Sequence, residues 1–115
     1  MEVYTLGVWR VREGKESEFV EAWRRLGGYF RNLPNPPGPG TLVQSVDDPR
    51  LFYSFGPWRS LDDIAMMRSA PDTPGALARL AALCDEAKPG TFRVVARVEG
   101  GLEAGYTGEA HPSSG

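Results

Sequence analysis

Val3-Tyr4-Thr5-Leu6-Gly7-Val8-Trp9-Arg10-Val11-Arg12 is the stretch that decides the fold. Read with a period of two it is a strand. Val3, Thr5, Gly7, Trp9 and Val11 point one way, and Tyr4, Leu6, Val8, Arg10 and Arg12 point the other. Both sets are largely apolar over the first part. A sheet with one wet face would alternate polar residues outward, so this strand belongs to a sheet covered on both sides.

The rest of the chain is read outward from that strand. Glu13-Gly14-Lys15 is a tight turn. A helix follows from Glu16 to Arg31, with Phe19, Trp23, Leu26 and Phe30 as its apolar stripe and Glu21–Arg25 as a surface pair. Gly27-Gly28 weakens its end. The Pro- and Gly-rich run 33–40 is a stiff connector. Strands are expected over 41–47 and 51–58, joined by a turn at Asp47-Asp48-Pro49-Arg50. Ser60 is the expected N-cap of a short helix, with Asp63 reaching back to complete a capping box. Leu61, Ile64, Ala65 and Met67 are its inward residues. Pro71 breaks it, and Pro74 opens another helix with Leu77, Leu80, Ala81 and Cys84 on one face. Lys88-Pro89-Gly90 is expected to stop that helix. A last strand is expected over 91–99, with Phe92, Val94, Ala96 and Val98 on one face and Arg93 and Arg97 on the other. No internal repeat emerges from counting.

The order β-α-β-β-α-β, with its second helical segment split in two, predicts an α+β, ferredoxin-like domain with a four-stranded antiparallel sheet. The helices cover one face. The third strand carries Leu51, Tyr53 and Phe55 against Phe52 and Trp58, so the other face needs a cover too. A second copy of the same sheet is the simplest one, which predicts a homodimer packed sheet to sheet.

Composition narrows the function. A length of 115 residues suits one domain, taken as residues 1–99 with a Gly/Ser-rich tail over 100–115. The net charge of −2, without a basic run, argues against nucleic acid as a partner. One cysteine, Cys84, rules out an internal disulfide. The only histidine, His111, lies in the tail, so no zinc-like ligand set and no bound metal is expected. No apolar run approaches the ~20 residues needed to cross a bilayer, and no signal-peptide pattern opens the chain. The expectation is a cytoplasmic protein.

Three segments carry a resemblance. Val8 to Phe19 resembles the opening strand, glycine turn and acidic helix start of the antibiotic biosynthesis monooxygenase family. Pro37 to Leu42 is similar to its proline-glycine lead into the second strand. Phe55 to Asp63 is similar to its tryptophan-x-serine segment. The likeness covers residues 3 to 98 and implies a dimeric α/β barrel. For function it implies a cofactor-independent monooxygenase acting on a small aromatic of phenol or quinol type, with no cofactor. The alternative is a non-catalytic dimer of the same fold that binds a small ligand or serves as a subunit. Many members carry a histidine where Met67 and Arg68 stand here, and the heme-degrading branch uses it as an axial ligand. That departure argues against heme degradation.

The resemblance places Trp58 on the wall of a cavity between sheet and helices, where its indole offers a flat surface and one N–H donor. The other reading is a core aromatic at a strand end. Tyr53, in mid-strand, is the expected hydroxyl contact, ahead of Tyr4 and Tyr29; packing alone is the alternative. Arg93 is the expected partner for a phenolate or quinone oxygen, or else part of a rim salt bridge. Arg68 is the further candidate for an anionic substrate, or else a solvated helix charge. Arginine stays protonated, so none of these acts as a general base, and the catalytic residue is left unassigned.

Overall fold

The structure is a computed structural model and describes residues 2–101. Strand β1 spans Val3–Val11, helix α1 Glu16–Arg31, β2 Thr41–Gln44, β3 Leu51–Trp58, α2 Leu61–Ser69, α3 Thr73–Ala82 and β4 Cys84–Arg93. The four strands form one antiparallel sheet in the order β2-β3-β1-β4, so the first strand is central and pairs with both β3 and β4. This is the α+β, ferredoxin-like architecture that the element order predicts. Most of the tail, His111 included, lies outside the described residues.

Alternation sorts β1 cleanly. Val3, Trp9 and Val11 are buried under the helices, while Tyr4, Leu6, Val8 and Arg10 are half-buried on the helix-free face. On β3, Phe52, Ser54 and Trp58 face the helices, and Leu51, Tyr53, Phe55 and Pro57 take the other side. Helix α1 buries Phe19 and Leu26 and half-buries Trp23 and Phe30, which is the predicted stripe. Its surface pair is Arg24 donating to Glu21 at 2.8 Å, one residue away from the expected Arg25. The core is two clusters. Trp9, Val11, Phe19, Leu26, Phe52, Ala76, Leu80 and Cys84 form the larger, and Val3, Trp58, Ile64 and Met67 the smaller. Phe30 packs against both.

Several expectations need correction. The last strand begins at Cys84 rather than residue 91, and residues 94–100 carry no regular structure. Proline-glycine does not end a helix here, because α3 has already stopped at Ala82. Pro89 sits in β4 opposite Gly7, and β4 has a strand on one side only, where a missing N–H is tolerated. Cys84 is therefore a buried strand residue, and burial, with Asp85 beside it, pushes its thiol pKa up. On α2, Leu61 and Ala65 are exposed; Ile64 and Met67 are the inward pair. Ser60 caps that helix by accepting from the Asp63 amide at 3.1 Å. The Asp63 carboxylate does not reach back. It accepts from Asn35 at 3.2 Å and Arg59 at 3.3 Å, which ties the Pro-rich connector to α2. Finally, β2 ends at Gln44 because the Ser45 hydroxyl accepts from the Asp47 and Asp48 amides and turns the chain.

Arg10 donates to Asp48 at 2.7 Å across the hairpin turn. That hydrogen bond, helped by the Arg50 amide, holds the Asp48 carboxyl below the usual carboxylate range. A carboxyl whose pKa falls on folding adds stability above its unfolded pKa, and that stability is lost as pH drops through the folded value. Asp48→Asn is therefore expected to lower the urea midpoint at pH 6. The gap from the unaltered chain should close as pH falls toward 2. A gap that stays constant down to pH 2 would show that the pair is not the source.

Candidate functional site

A cavity of about 730 Å³ lies between the helix-facing side of β1 and β3 and the inner face of α1. Its place follows from the two-cluster core. Trp9 and Leu26 come from the larger cluster, Trp58 and Met67 from the smaller, and the space lies where the two fail to merge. Gly27 and Gly28 help to keep it open. A Cβ at Gly27 would meet nothing within 4 Å, so α1 presents bare backbone where a side chain would fill the space. Trp23 and Phe30 of α1, Leu77 of α3 and the 37–40 connector complete the wall.

The floor is built by two copies of one pattern. Thr5-Leu6-Gly7-Val8-Trp9 and Ser54-Phe55-Gly56-Pro57-Trp58 both read hydroxyl-x-Gly-x-Trp, and they run antiparallel. Thr5 stands opposite Gly56, and Gly7 opposite Ser54. Each indole leans along the sheet to the hydroxyl of the other strand. Trp9 Nε1 donates to Ser54 Oγ at 2.9 Å, and Trp58 Nε1 donates to Thr5 Oγ1 at 2.9 Å. Glycine is required at Gly7, since a Cβ there would sit 2.6 Å from Trp9 Nε1. At Gly56 a Cβ would press on the Gly40 Cα at 3.2 Å and the Pro39 carbonyl at 3.3 Å, so glycine lets the 37–40 connector approach. The likeness is one of spacing, because the two segments share only their glycine and tryptophan as identities.

This arrangement sets the polarity of the floor. Each hydroxyl spends an acceptor lone pair on an indole N–H and keeps its own O–H as a donor. Among the described residues neither Thr5 nor Ser54 has a partner accepting that proton, and both line the cavity. Ser54 is nine-tenths buried. The floor thus offers two hydrogen-bond donors to an oxygen-bearing ligand. The indole N–H of Trp58 is already bonded, so Trp58 contributes a flat wall and not the donor that its sequence position suggests. Phe30 braces it edge-on at 5.5 Å.

Among the described residues, the charged groups around the cavity are all of one sign: Arg24, Arg31 and Arg68 line it, and no aspartate or glutamate does. Arg24 is neutralised by Glu21. Arg68 donates to Thr91 Oγ1 at 2.7 Å, and neither Arg68 nor Arg31 has a carboxylate within ion-pair distance among the described residues. Among the described residues, histidine, lysine, tyrosine and cysteine are also missing from the lining. Among the described residues no group of three or more His, Cys, Asp or Glu is placed to hold a metal. No helix there is long and apolar enough to cross a membrane.

Of the four residues singled out from the sequence, the cavity brings together Trp58 and Arg68. Tyr53 lies on the opposite face of the sheet, opposite Val8 and 43% exposed, so it cannot reach the cavity. Arg93 shares the helix-facing side but stands at the end of β4, paired with Val3 and exposed, outside the lining. Thr5, Ser54 and Arg31 line the cavity instead.

The helix-free face is a second feature. Tyr4, Leu6 and Val8 from β1, Tyr53, Phe55 and Pro57 from β3, Val43 from β2 and Phe92 from β4 share it. Val43, Tyr53, Phe55 and Phe92 are each more than one-third exposed.

No family model matches the chain, and no curated protein matches it. Solved structures do. SnoaB from Streptomyces nogalater, a cofactor-independent oxygenase, superposes with a TM-score of 0.75 at 21% identity, over 84% of this chain and 96% of that one. A protein of Nitrosomonas europaea named an antibiotic biosynthesis monooxygenase gives 0.69 at 21%, over 79% and 88%. One of the same name from Bordetella bronchiseptica gives 0.70 at 14%, over 83% and 98%. The chain has the fold of the antibiotic biosynthesis monooxygenases, as its three sequence segments imply.

Proposed function

We propose that the chain is a cofactor-independent monooxygenase that oxidises a small phenol- or quinol-type aromatic in the cavity, and that it works as a homodimer. The observation that carries this reading is an aromatic-walled, apolar cavity whose floor donors and rim charges all favour an anionic oxygen. The likeness to an oxygenase of the same fold supports it.

Chemistry follows from that lining. A phenol loses its proton to solvent, helped by the positive rim and the Ser54 donor, which stabilise the phenolate. The electron-rich anion reduces O2 directly. One oxygen atom enters the ring carbon as a carbonyl, and the other leaves as water with the two hydrogens removed from the substrate. Phenol plus O2 thus gives quinone plus water, with no outside reductant. Trp9, Trp23, Phe30 and Trp58 hold the ring flat and exclude water around it.

One observation favours a second reading. Among the described residues the lining holds no side chain that takes a proton, which suits a non-catalytic binding protein equally well. Oxygen uptake separates the two. Purified protein with a panel of hydroxylated anthrones and quinols is expected to consume one O2 per product, with the rate about tenfold lower in Ser54→Ala, the loss of one oriented donor in a dry site. Tight binding with no uptake for any compound would leave the binding protein as the answer.

The dimer rests on the helix-free face. Four strands at ~4.8 Å and eight residues at ~3.4 Å give it a flat extent of roughly 500 Å². Its exposed Val43, Tyr53, Phe55 and Phe92 give a sheet-to-sheet contact apolar side chains to bury against a second copy.

A further inference from the structure

We propose that the ligand of this cavity is an aromatic carboxylate, gripped at the α2 end by Arg68 together with the Thr5 hydroxyl, with Arg31 guarding the mouth. The inference rests on the preceding reading that the cavity is the ligand site, and not on any turnover there.

Charge gives the first argument. The whole chain is net negative, yet among the described residues the cavity is lined by three arginines and no acid. Two of the three, Arg31 and Arg68, lack a carboxylate partner among the described residues. Both are exposed and solvated as they stand, and an anion entering the apolar space beside them would meet cations and, among the described residues, no acid to oppose it.

Geometry gives the second. Thr91 stands directly opposite Thr5 in the β1–β4 ladder, on the same face. Arg68 is anchored to Thr91 Oγ1 at 2.7 Å, so its guanidinium sits one strand over from the Thr5 hydroxyl. The Thr5 oxygen accepts from Trp58, leaving its proton to be donated. A carboxylate has two oxygens in a plane. One can take the free guanidinium N–H groups while the other takes the hydroxyl. Thr91 thus serves as a positioning residue, since it holds Arg68 against the sheet and leaves its other donors free. A neutral amide of the same shape would meet two donors with only one acceptor and would place an NH2 group against a cation or a hydroxyl proton.

The test is calorimetric binding of naphthalene-2-carboxylate and of the matching neutral carboxamide to the full chain. The expected result is roughly tenfold tighter binding of the carboxylate, equivalent to one added charge-assisted contact, with the preference weakening in 0.5 M salt. Arg68→Met keeps the aliphatic stem and should bring the two ligands to within about twofold of each other. Arg68→Gln provides the same comparison with a polar side chain, and Arg93→Met, outside the cavity, should leave the preference intact. Equal binding of acid and amide by the unaltered chain overturns the proposal. So does a preference that survives both Arg68→Met and Arg31→Met, or an absence of binding by either ligand at millimolar concentration. A carboxylate preference with no oxygen consumption by any phenol leaves this inference standing while it removes the oxygenase.

Discussion

Sedimentation of Leu6→Glu at micromolar concentration is expected to give a monomer where the unaltered chain gives a dimer. Leu6 lies in the middle of a central strand on the helix-free face, between Phe55 of β3 and Gly90 of β4. In the proposed dimer it meets the partner's sheet away from the rim. A carboxylate there would be desolvated with no cation in its row, which costs several kcal/mol, so association should weaken a hundredfold or more. Folding should survive, because Leu6 is only partly buried in the single chain and lies outside both core clusters. Val95→Glu, outside the sheet and 88% exposed, is the control and should stay dimeric. A monomeric unaltered chain, or a dimer unaffected by Leu6→Glu, would remove the sheet-to-sheet interface.

The second large effect is on stability. Phe19 is fully buried and touches the sheet through two aromatic contacts, with ring centroids 5.6 Å from Trp9 and 5.2 Å from Phe52. It is the residue by which α1 holds both central strands. Phe19→Ala is expected to cost about 3–5 kcal/mol, the transfer free energy plus the void. Domains of this size hold only ~5–15 kcal/mol in all. The variant should lose a large share of its urea midpoint and sit close to unfolding at 37 °C. Phe19→Leu should recover most of the loss. A cost below about 1 kcal/mol for Phe19→Ala would mean that the helix is anchored elsewhere.

How much the sequence reveals depends on which force sets each feature. The helix α1 stripe, the β3 strand, the Ser60 cap and the Pro74 start are governed by local periodicity and capping, and they are legible. The start of β4 is not, because the Pro-Gly signal reads as a break unless the strand is known to lie at an edge. Edge position is a tertiary fact. The cavity is half legible. Trp58 and Arg68 fall on it, but Tyr53 is five residues before Trp58 in the same strand, and an odd separation puts the two on opposite faces. Parity alone excludes the pair. Thr5 and Ser54 escape notice for a different reason. Short hydroxyl side chains in strands carry no signal until the register shows that each stands beside a tryptophan reaching over from the neighbouring strand.

Those two reciprocal indole–hydroxyl bonds also act as a vernier on the sheet. Displacing β1 along β3 by one residue is already forbidden, since it would turn every apolar side chain to the wrong side. Displacement by two would keep the faces in order, and hydrophobicity alone would scarcely object. It would, however, unhook Trp9 from Ser54 and Trp58 from Thr5 together, stranding two indole N–H groups in an apolar interior. The paired clasps reject the one misalignment that greasy patterning tolerates, and the slot where a ligand would lie inherits its dimensions from that rejection.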